Sequence, residues 1–540
     1  MCNFNYVFTA AEVSYRCHVP ECETSDISFN ASWVTSILSN RSEACHRLTP
    51  HSADRVEGLW NHLKADNSNC SLRMFDEKVT MPCEKIVYEN YNSIVAEFDL
   101  GCQPWKRTLI GTVHNLGLVF SFIMSGVISD RCVYTVVFFF SILIQVEDAE
   151  PYYKIFRYGR KVIIVGTPLM VGAAGLLKSF SVNYWMLLVL EFLETALGYG
   201  NASLVLSLET VSQKSRVVYS CISDILSNFG GAFFGLIAWK IPYWRHMMRA
   251  IYAPLLVVVF YIFLVDEGVR WLLAHNKKDE AVRVLNKVAK INNITLSNKA
   301  KEMLTKITEE KNKADQMIQT RSEDPPPIFS VLRSKKIVLR IALISVSFFC
   351  CMFVYSGAII NSTSISGNKY LNFSAMMLVA IPTRIITALT LTRFGRKTPI
   401  CVAYCLCAAF FMASAFVPKS MWWASIVFYL AGKMCSSYGL FSMLVVTMEV
   451  FPTTSRNSLT NVANTFGRLG SVLAPQAPLL GQYMSGLPSV MFALVALGPA
   501  VLALLLPDTS RTPLPDRVVD AERLDESPDQ LGQLEGVTTS

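Results

Sequence analysis

The sequence predicts an all-α membrane protein of two six-helix bundles, with eleven complete spans and a first helix that is truncated. Three observations predict it. Apolar residues make up 52% of the 540 residues and charged residues 17%, with a mean hydropathy of +0.36. Apolar runs of roughly 20 residues, enough to cross a hydrocarbon core of about 30 Å, recur along the chain. Finally, a Gly-Arg-Lys loop appears at equivalent places in two halves, as internal duplication produces in secondary transporters. A large soluble helical enzyme would need a polar face on these helices, and they have none.

Residues 1–15, MCNFNYVFTAAEVSY, are too short and too polar to span. With the segment that follows outside and the central loop inside, parity requires a span here, so these residues are expected to be the remnant of a first helix. A signal peptide is the rival reading, but a basic start and an apolar core are both missing. Residues 16–104 are polar and hold Cys17, Cys22, Cys45, Cys70, Cys83 and Cys102, with acceptor triplets at Asn30, Asn40 and Asn69. Together they predict an extracellular, disulfide-bonded, glycosylated loop. Six cysteines leave fifteen pairings open.

Spans are expected at 109–129, 162–180, 185–206, 219–240 and 247–265, making 105–265 the N-terminal bundle. Further spans at 337–360, 370–391, 399–417, 421–446, 459–480 and 490–506 make 337–506 the C-terminal one. Between them, 266–336 carries fifteen Lys/Arg against ten Asp/Glu, with a helical stretch EAVRVLNKVAKINN. Long loops vote weakly on orientation, but SQKSR (212–216) and TRFGRK (392–397) agree that this face is cytoplasmic. The tail, 507–540, is rich in Pro and acids and reads as disordered. The net charge of +8 is thus cytoplasmic anchoring and implies no nucleic acid.

In TRFGRK, the glycine permits a tight turn, and the charges can pair across neighbouring helix ends and act as a gate. Simple positive-inside anchoring is the plainer alternative. The first-half counterpart is split: GVISDR (126–131) and YGRK (158–161) flank 132–157, whose core VYTVVFFFSILI is too short to span.

With LETVSQKSR (208–216), DEGVRWLL (266–273) and MEVFPTTSRN (448–457) added, the chain resembles the organic cation/anion/carnitine transporters of the major facilitator superfamily over nearly its whole length. The resemblance implies the major facilitator fold, alternating access and a central cavity for a small organic ion, with a co- or counter-transported ion as a further partner beside the lipid bilayer. It implies a gate at Asp130, Arg131, Gly159, Arg160 and Lys161, with Arg393, Gly395, Arg396 and Lys397 as its counterpart. It also implies a charge network of Glu209, Arg216, Glu267, Arg270, Glu449 and Arg456. Two departures stand out. The motif before Trp-Leu-Leu has lost both prolines, and Glu191 replaces the arginine usual in the fourth helix, which leaves the charge pattern of that half open. Relatives run directly from Asp-Arg to Gly-Arg-Lys. Residues 132–157 are therefore expected to be a retained intron or faulty gene model, in preference to an interfacial insertion.

Substrate sign turns on Arg384 in AIPTRIITAL and Arg468 in FGRLGSVLAP. A charge at this depth costs about 2.5–3.5 kcal/mol on insertion scales, so it faces a partner or a wet cavity. Both match basic positions of organic anion transporters, and Ala380 stands where an acid often precedes Ile-Pro. Two guanidinium groups favour a carboxylate or sulfate guest. The alternative is structural pairing with Glu449 or another helix-bound acid, and a carnitine-like zwitterion also suits Arg468. Tyr355 matches a cavity-lining aromatic; Asn115 is a further polar candidate, and His114 reads as packed rather than as a proton relay. No Walker sequence, metal-ligand spacing or nucleophile elbow occurs, so no enzyme activity, cofactor or metal is expected. The expected role is organic anion transport at the plasma membrane. Organic cation or carnitine transport, or a non-transporting product, are the alternatives. Transcripts sequenced across the 131–158 junction are expected to lack the 26 codons in their dominant form.

Overall fold

The computed structural model of the chain describes residues 4–20, 22–23, 28–31, 34, 45–50, 75–131, 160–198, 211, 216–274, 277–293, 334–452, 456–484, 486–507, 515 and 521–522. Residues 132–157, with Gly159, Glu209, Asn40, Asn69 and Cys70, lie outside them.

The chain opens with a short helix, α1 (Asn5–Thr9). Tyr15, expected in the remnant helix, instead begins a strand. The pairs β1 (Tyr15–Cys17) with β4 (Ile86–Tyr88) and β2 (His46–Pro50) with β3 (Phe75–Pro82) form two antiparallel ribbons. These ribbons are an addition to the all-α expectation. Side-chain alternation in so polar a segment is too weak to announce strands this short. Disulfides Cys17–Cys83 and Cys45–Cys102 tie the ribbons together, and Cys22 is also disulfide-bonded. Asn30 is exposed.

Ser93 caps the one-turn α2 (Ile94–Glu97) and donates to the carbonyls of Thr9 and Ala11, fastening the end of α1. The N-terminal bundle follows: α3 (Pro104–Arg131), α4 (Arg160–Lys178), α5 (Tyr184–Gly198), α6 (Arg216–Lys240) and α7 (Trp244–Leu264), the last tightened by a 3₁₀ turn at Val257–Phe260. GVISDR, expected as a loop, belongs to α3, because nothing in it breaks a helix: Asp130 and Arg131 are its last residues, and Arg160 and Lys161 begin α4. Two helices follow, α8 (Val269–Ala274) and α9 (Lys278–Ile291), the latter tethered by Lys287 to Asp266 at 2.5 Å.

The C-terminal bundle comprises α10 (Lys335–Asn361), α11 (Lys369–Leu378), α12 (Ala380–Phe394), α13 (Lys397–Phe416), α14 (Trp422–Val450), α15 (Arg456–Leu473) and α16 (Leu487–Leu505). Beyond α15 the chain tightens into a 3₁₀ helix, Ala474–Gln482, where Pro475 and Pro478 cannot donate to an α-helical ladder. A described helix falls in each of the eleven expected spans, with residues 199–206 of the third outside the described residues. Among the described residues, seven are long and apolar enough to cross a membrane.

Within the bundles α3 packs on α5, α4 on α5 and α7, α10 on α15, and α13 on α14 and α16; the halves meet where α3 faces α15 and α6 faces α11. Val218, Ile222, Leu226, Phe229, Phe233 and Leu236 form an exposed stripe on α6, spaced by three and four, while Phe234 and Ala238 are buried. That inversion of the soluble pattern suits a lipid solvent. Replacing Cys17 and Cys83 together by Ser is expected to cost about 2–4 kcal/mol of stability, read by thermal unfolding of the chain in nanodiscs.

Candidate functional site

The middle of the molecule collects ionised groups that an apolar interior penalises unless they are matched. Arg384 lies ten residues before the end of α12, and Asp224 eight residues inside α6. At 1.5 Å per residue both sit roughly 12–15 Å from the same end of the molecule. They meet across the two bundles, Arg384 Nε to Asp224 Oδ2 at 2.6 Å, with a second contact from Nη2 at 3.3 Å. The guanidinium also lies 4.2 Å from the centroid of Phe441. Its acid is therefore on the opposite bundle, and Glu449 is engaged elsewhere.

Arg468 reaches from α15 to α3, where its guanidinium stands 4.7 Å from the Phe122 ring centroid. Tyr355 on α10 faces a group that sequence reasoning missed. Lys433, midway along α14, is fully buried. Its Nζ lies 3.0 Å from the Tyr355 ring centroid and 3.3 Å from the Tyr355 carbonyl oxygen, to which it donates. Among the described residues it makes no ion pair with a carboxylate. The signal was available: a lysine in the apolar run YLAGKMC is as costly as an arginine. Among the described residues the middle therefore gathers Arg384 with Asp224, and Lys433 with Tyr355.

Asn115 points elsewhere. Its amide donates to the Gly111 carbonyl at 2.8 Å and to the Tyr6 hydroxyl at 3.3 Å, so it secures α1. Its neighbour His114 joins a sealed cluster: Nδ1 is 2.7 Å from Glu191 Oε1, and Lys178 Nζ is 2.7 Å from Glu191 Oε2 and 2.5 Å from Glu194 Oε2. Glu191 thus pairs with a lysine of α4 and a histidine of α3. Its unusual identity is matched by its neighbours.

In the TRFGRK turn, Gly395 adopts φ +80°, a conformation that a side chain resists. Arg396 then grips Glu449 with Nε at 2.9 Å and Nη2 at 2.8 Å, clamping the turn to the end of α14 within one bundle. Lys397 donates to the Leu504 carbonyl at 3.3 Å, and Arg393 is exposed beside Phe394. Glu267 accepts from the Gly268 amide at 3.2 Å. Arg216 and Arg456 open α6 and α15, and Arg270 lies in α8; nothing is described of their side chains.

The sequence model described as "Sugar (and other) transporter" matches residues 152–515, well over half of the chain. The chain belongs to that family. It is similar to the "Organic cation transporter protein" of Drosophila melanogaster, 26% identical over 97% of this chain and 89% of that one. It is 27% identical to "Solute carrier family 22 member 1" of Bos taurus, over 96% and 86%. Among solved structures, the inward-open xylose transporter XylE of E. coli covers 78% of this chain and 99% of its own, with a TM-score of 0.51 at 15% identity. A D-xylose–proton symporter crystal structure reaches 0.52 at 12% identity. These place the chain in the major facilitator fold as a multi-pass membrane transporter, not an enzyme.

Because the Arg384 and Asp224 side chains are partly exposed, 25% and 35%, their pairing is screened. Asp224→Asn or Arg384→Ala alone is expected to lower stability by only about 1 kcal/mol. The exchanged double variant, Arg384→Asp with Asp224→Arg, is expected to recover most of it in a thermal unfolding cycle.

Proposed function

We propose that this transporter carries small organic anions across the plasma membrane by alternating access. The observation that carries the reading is Lys433: an amine buried against an aromatic ring, without a carboxylate partner among the described residues, and so in need of a negative guest whenever it is charged. Burying such a charge is strongly unfavourable unless something negative meets it. With Arg384 answered by Asp224, Lys433 supplies the positive potential that draws a carboxylate or sulfate toward mid-depth. Tyr355, already against Lys433, offers an aromatic face to the organic part of the guest. The ribbon end is taken as extracellular and the Lys-rich helix α9 as cytoplasmic, in keeping with the disulfides and the basic turns. Movement of the bundles would alternately expose this midsection. The Arg396–Glu449 clamp would hold one face of the C-terminal bundle rigid as it moves.

A second reading, organic cation transport, has its own support. Relatives carry that name, and Asp224 becomes available to a cation whenever the bundles part and release Arg384.

Uptake separates the two. Proteoliposomes holding the chain are expected to accumulate labelled p-aminohippurate in preference to tetraethylammonium. Lys433→Met is expected to reduce p-aminohippurate uptake about tenfold, the loss of about 1.4 kcal/mol of binding. Preferential tetraethylammonium uptake, with Lys433→Met unimpaired, would overturn the anion reading.

A further inference from the structure

The cluster around Glu191 is the most enclosed charged assembly in the described residues, and the transport reading does not use it. Its four ionisable members come from three helices: His114 on α3, Lys178 on α4, and Glu191 and Glu194 on α5. All four are at most 3% exposed. Tyr252 of α7 donates to Glu194, and Asn5 of α1 donates to the same carboxylate at 3.3 Å. Tyr252 fits there because α4 presents Gly175 beneath its ring, where a Cβ would overlap it. Tyr6 of α1 closes the last side, its ring 4.8 Å from the imidazole.

Charge counting exposes an imbalance. Both carboxylates are served by donors: Glu191 by His114 and Lys178, Glu194 by Lys178, Tyr252 and Asn5. Such surroundings suit two anions, yet Lys178 supplies one positive charge. With a neutral imidazole and both carboxylates ionised, the cluster holds one net negative charge away from water, which is strongly unfavourable. The deficit is one proton. Glu194 and His114 could each hold it; both Glu194 oxygens already accept hydrogen bonds, whereas His114 has Nδ1 committed to Glu191 and an Nε2 with no hydrogen-bond partner among the described residues. A second unanswered atom, Asn5 Oδ1, lies on the same cover.

We propose that this cluster is a proton-binding site coupled to transport. His114 is its proton carrier: the imidazolium neutralises the cluster when it is sealed. On opening, the Nε2–H bond breaks and the proton leaves to water. The imidazole that remains keeps its Nδ1–H on Glu191. The coupling element is α1. It covers the cluster with Asn5 and Tyr6, and it also packs on the opposite bundle through Phe8 against Phe373, ring centroids 5.0 Å apart. A bundle movement that drags α1 uncovers Nε2. Two further cations of α7 reach the residue next to Lys178: Arg245 donates to the Ser179 carbonyl at 2.7 Å and Arg249 to the Ser179 hydroxyl at 3.3 Å.

The test uses the full chain in nanodiscs with ¹⁵N-labelled histidine. One imidazole signal, absent in His114→Gln, is expected to carry protons on both nitrogens and to lose one as the pH is raised. Glu194→Gln removes the charge that this proton balances and is expected to diminish the doubly protonated signal. In proteoliposomes, an imposed proton gradient is expected to change uptake of p-aminohippurate or tetraethylammonium, whichever is carried, by at least about fivefold, and His114→Gln to abolish that response. A His114 signal fixed as the Nδ1–H tautomer throughout, or uptake indifferent to the gradient, would overturn the proposal. The resonance arm stands even where the anion reading fails, so the two failures are distinguishable.

Discussion

A charge inside an apolar interior has to be answered, and the placement of answers organises this molecule. In a low-dielectric medium an isolated ion is so unfavourable that it recruits opposite charge, aromatic faces or backbone carbonyls. The N-terminal bundle answers its charges internally, through Lys178, His114, Glu191 and Glu194 on adjoining helices. The C-terminal bundle does so at its rim, where Arg396 grips Glu449. Between the bundles the answer is shared, since Arg384 finds Asp224 only on the other half.

These three arrangements have different mechanical consequences. An ion pair inside one bundle travels with it and adds rigidity. A pair between bundles breaks whenever they separate and forms again when they close, so it biases which arrangement is populated. Lys433 is answered by a ring and a carbonyl, which are weaker partners than a carboxylate. A residue held in that condition is ready to exchange its partner for a guest, because little is lost when the guest arrives.

The short helix α1 joins these themes. Five residues long, it touches α3 through Tyr6 and Asn115, α7 through Asn5 and Tyr252, and the opposite bundle through Phe8 and Phe373. Helices this short are not stable alone, so its conformation is set by what surrounds it. Ser93 and the ribbons fix its exit, which is how the disulfide-bonded segment reaches the centre of the membrane domain.

The sequence by itself determined the class of the molecule: apolar run lengths placed eleven helices, and Gly395 and its basic neighbours marked a turn, because helix length and glycine conformation are local properties. The even cysteine set announced disulfides without their partners. Arg384 and Arg468 stood out in the sequence as well, since a charge within an apolar run is costly wherever that run meets hydrocarbon. Only the tertiary structure decided who answers whom. Asp224 and Arg384 are 160 positions apart, Lys178 and His114 belong to different helices, and Cys17 chose Cys83 from five candidates. Pairings of this kind are fixed by packing across the fold, and the strands of the ribbons likewise exist only once their distant partners are in register.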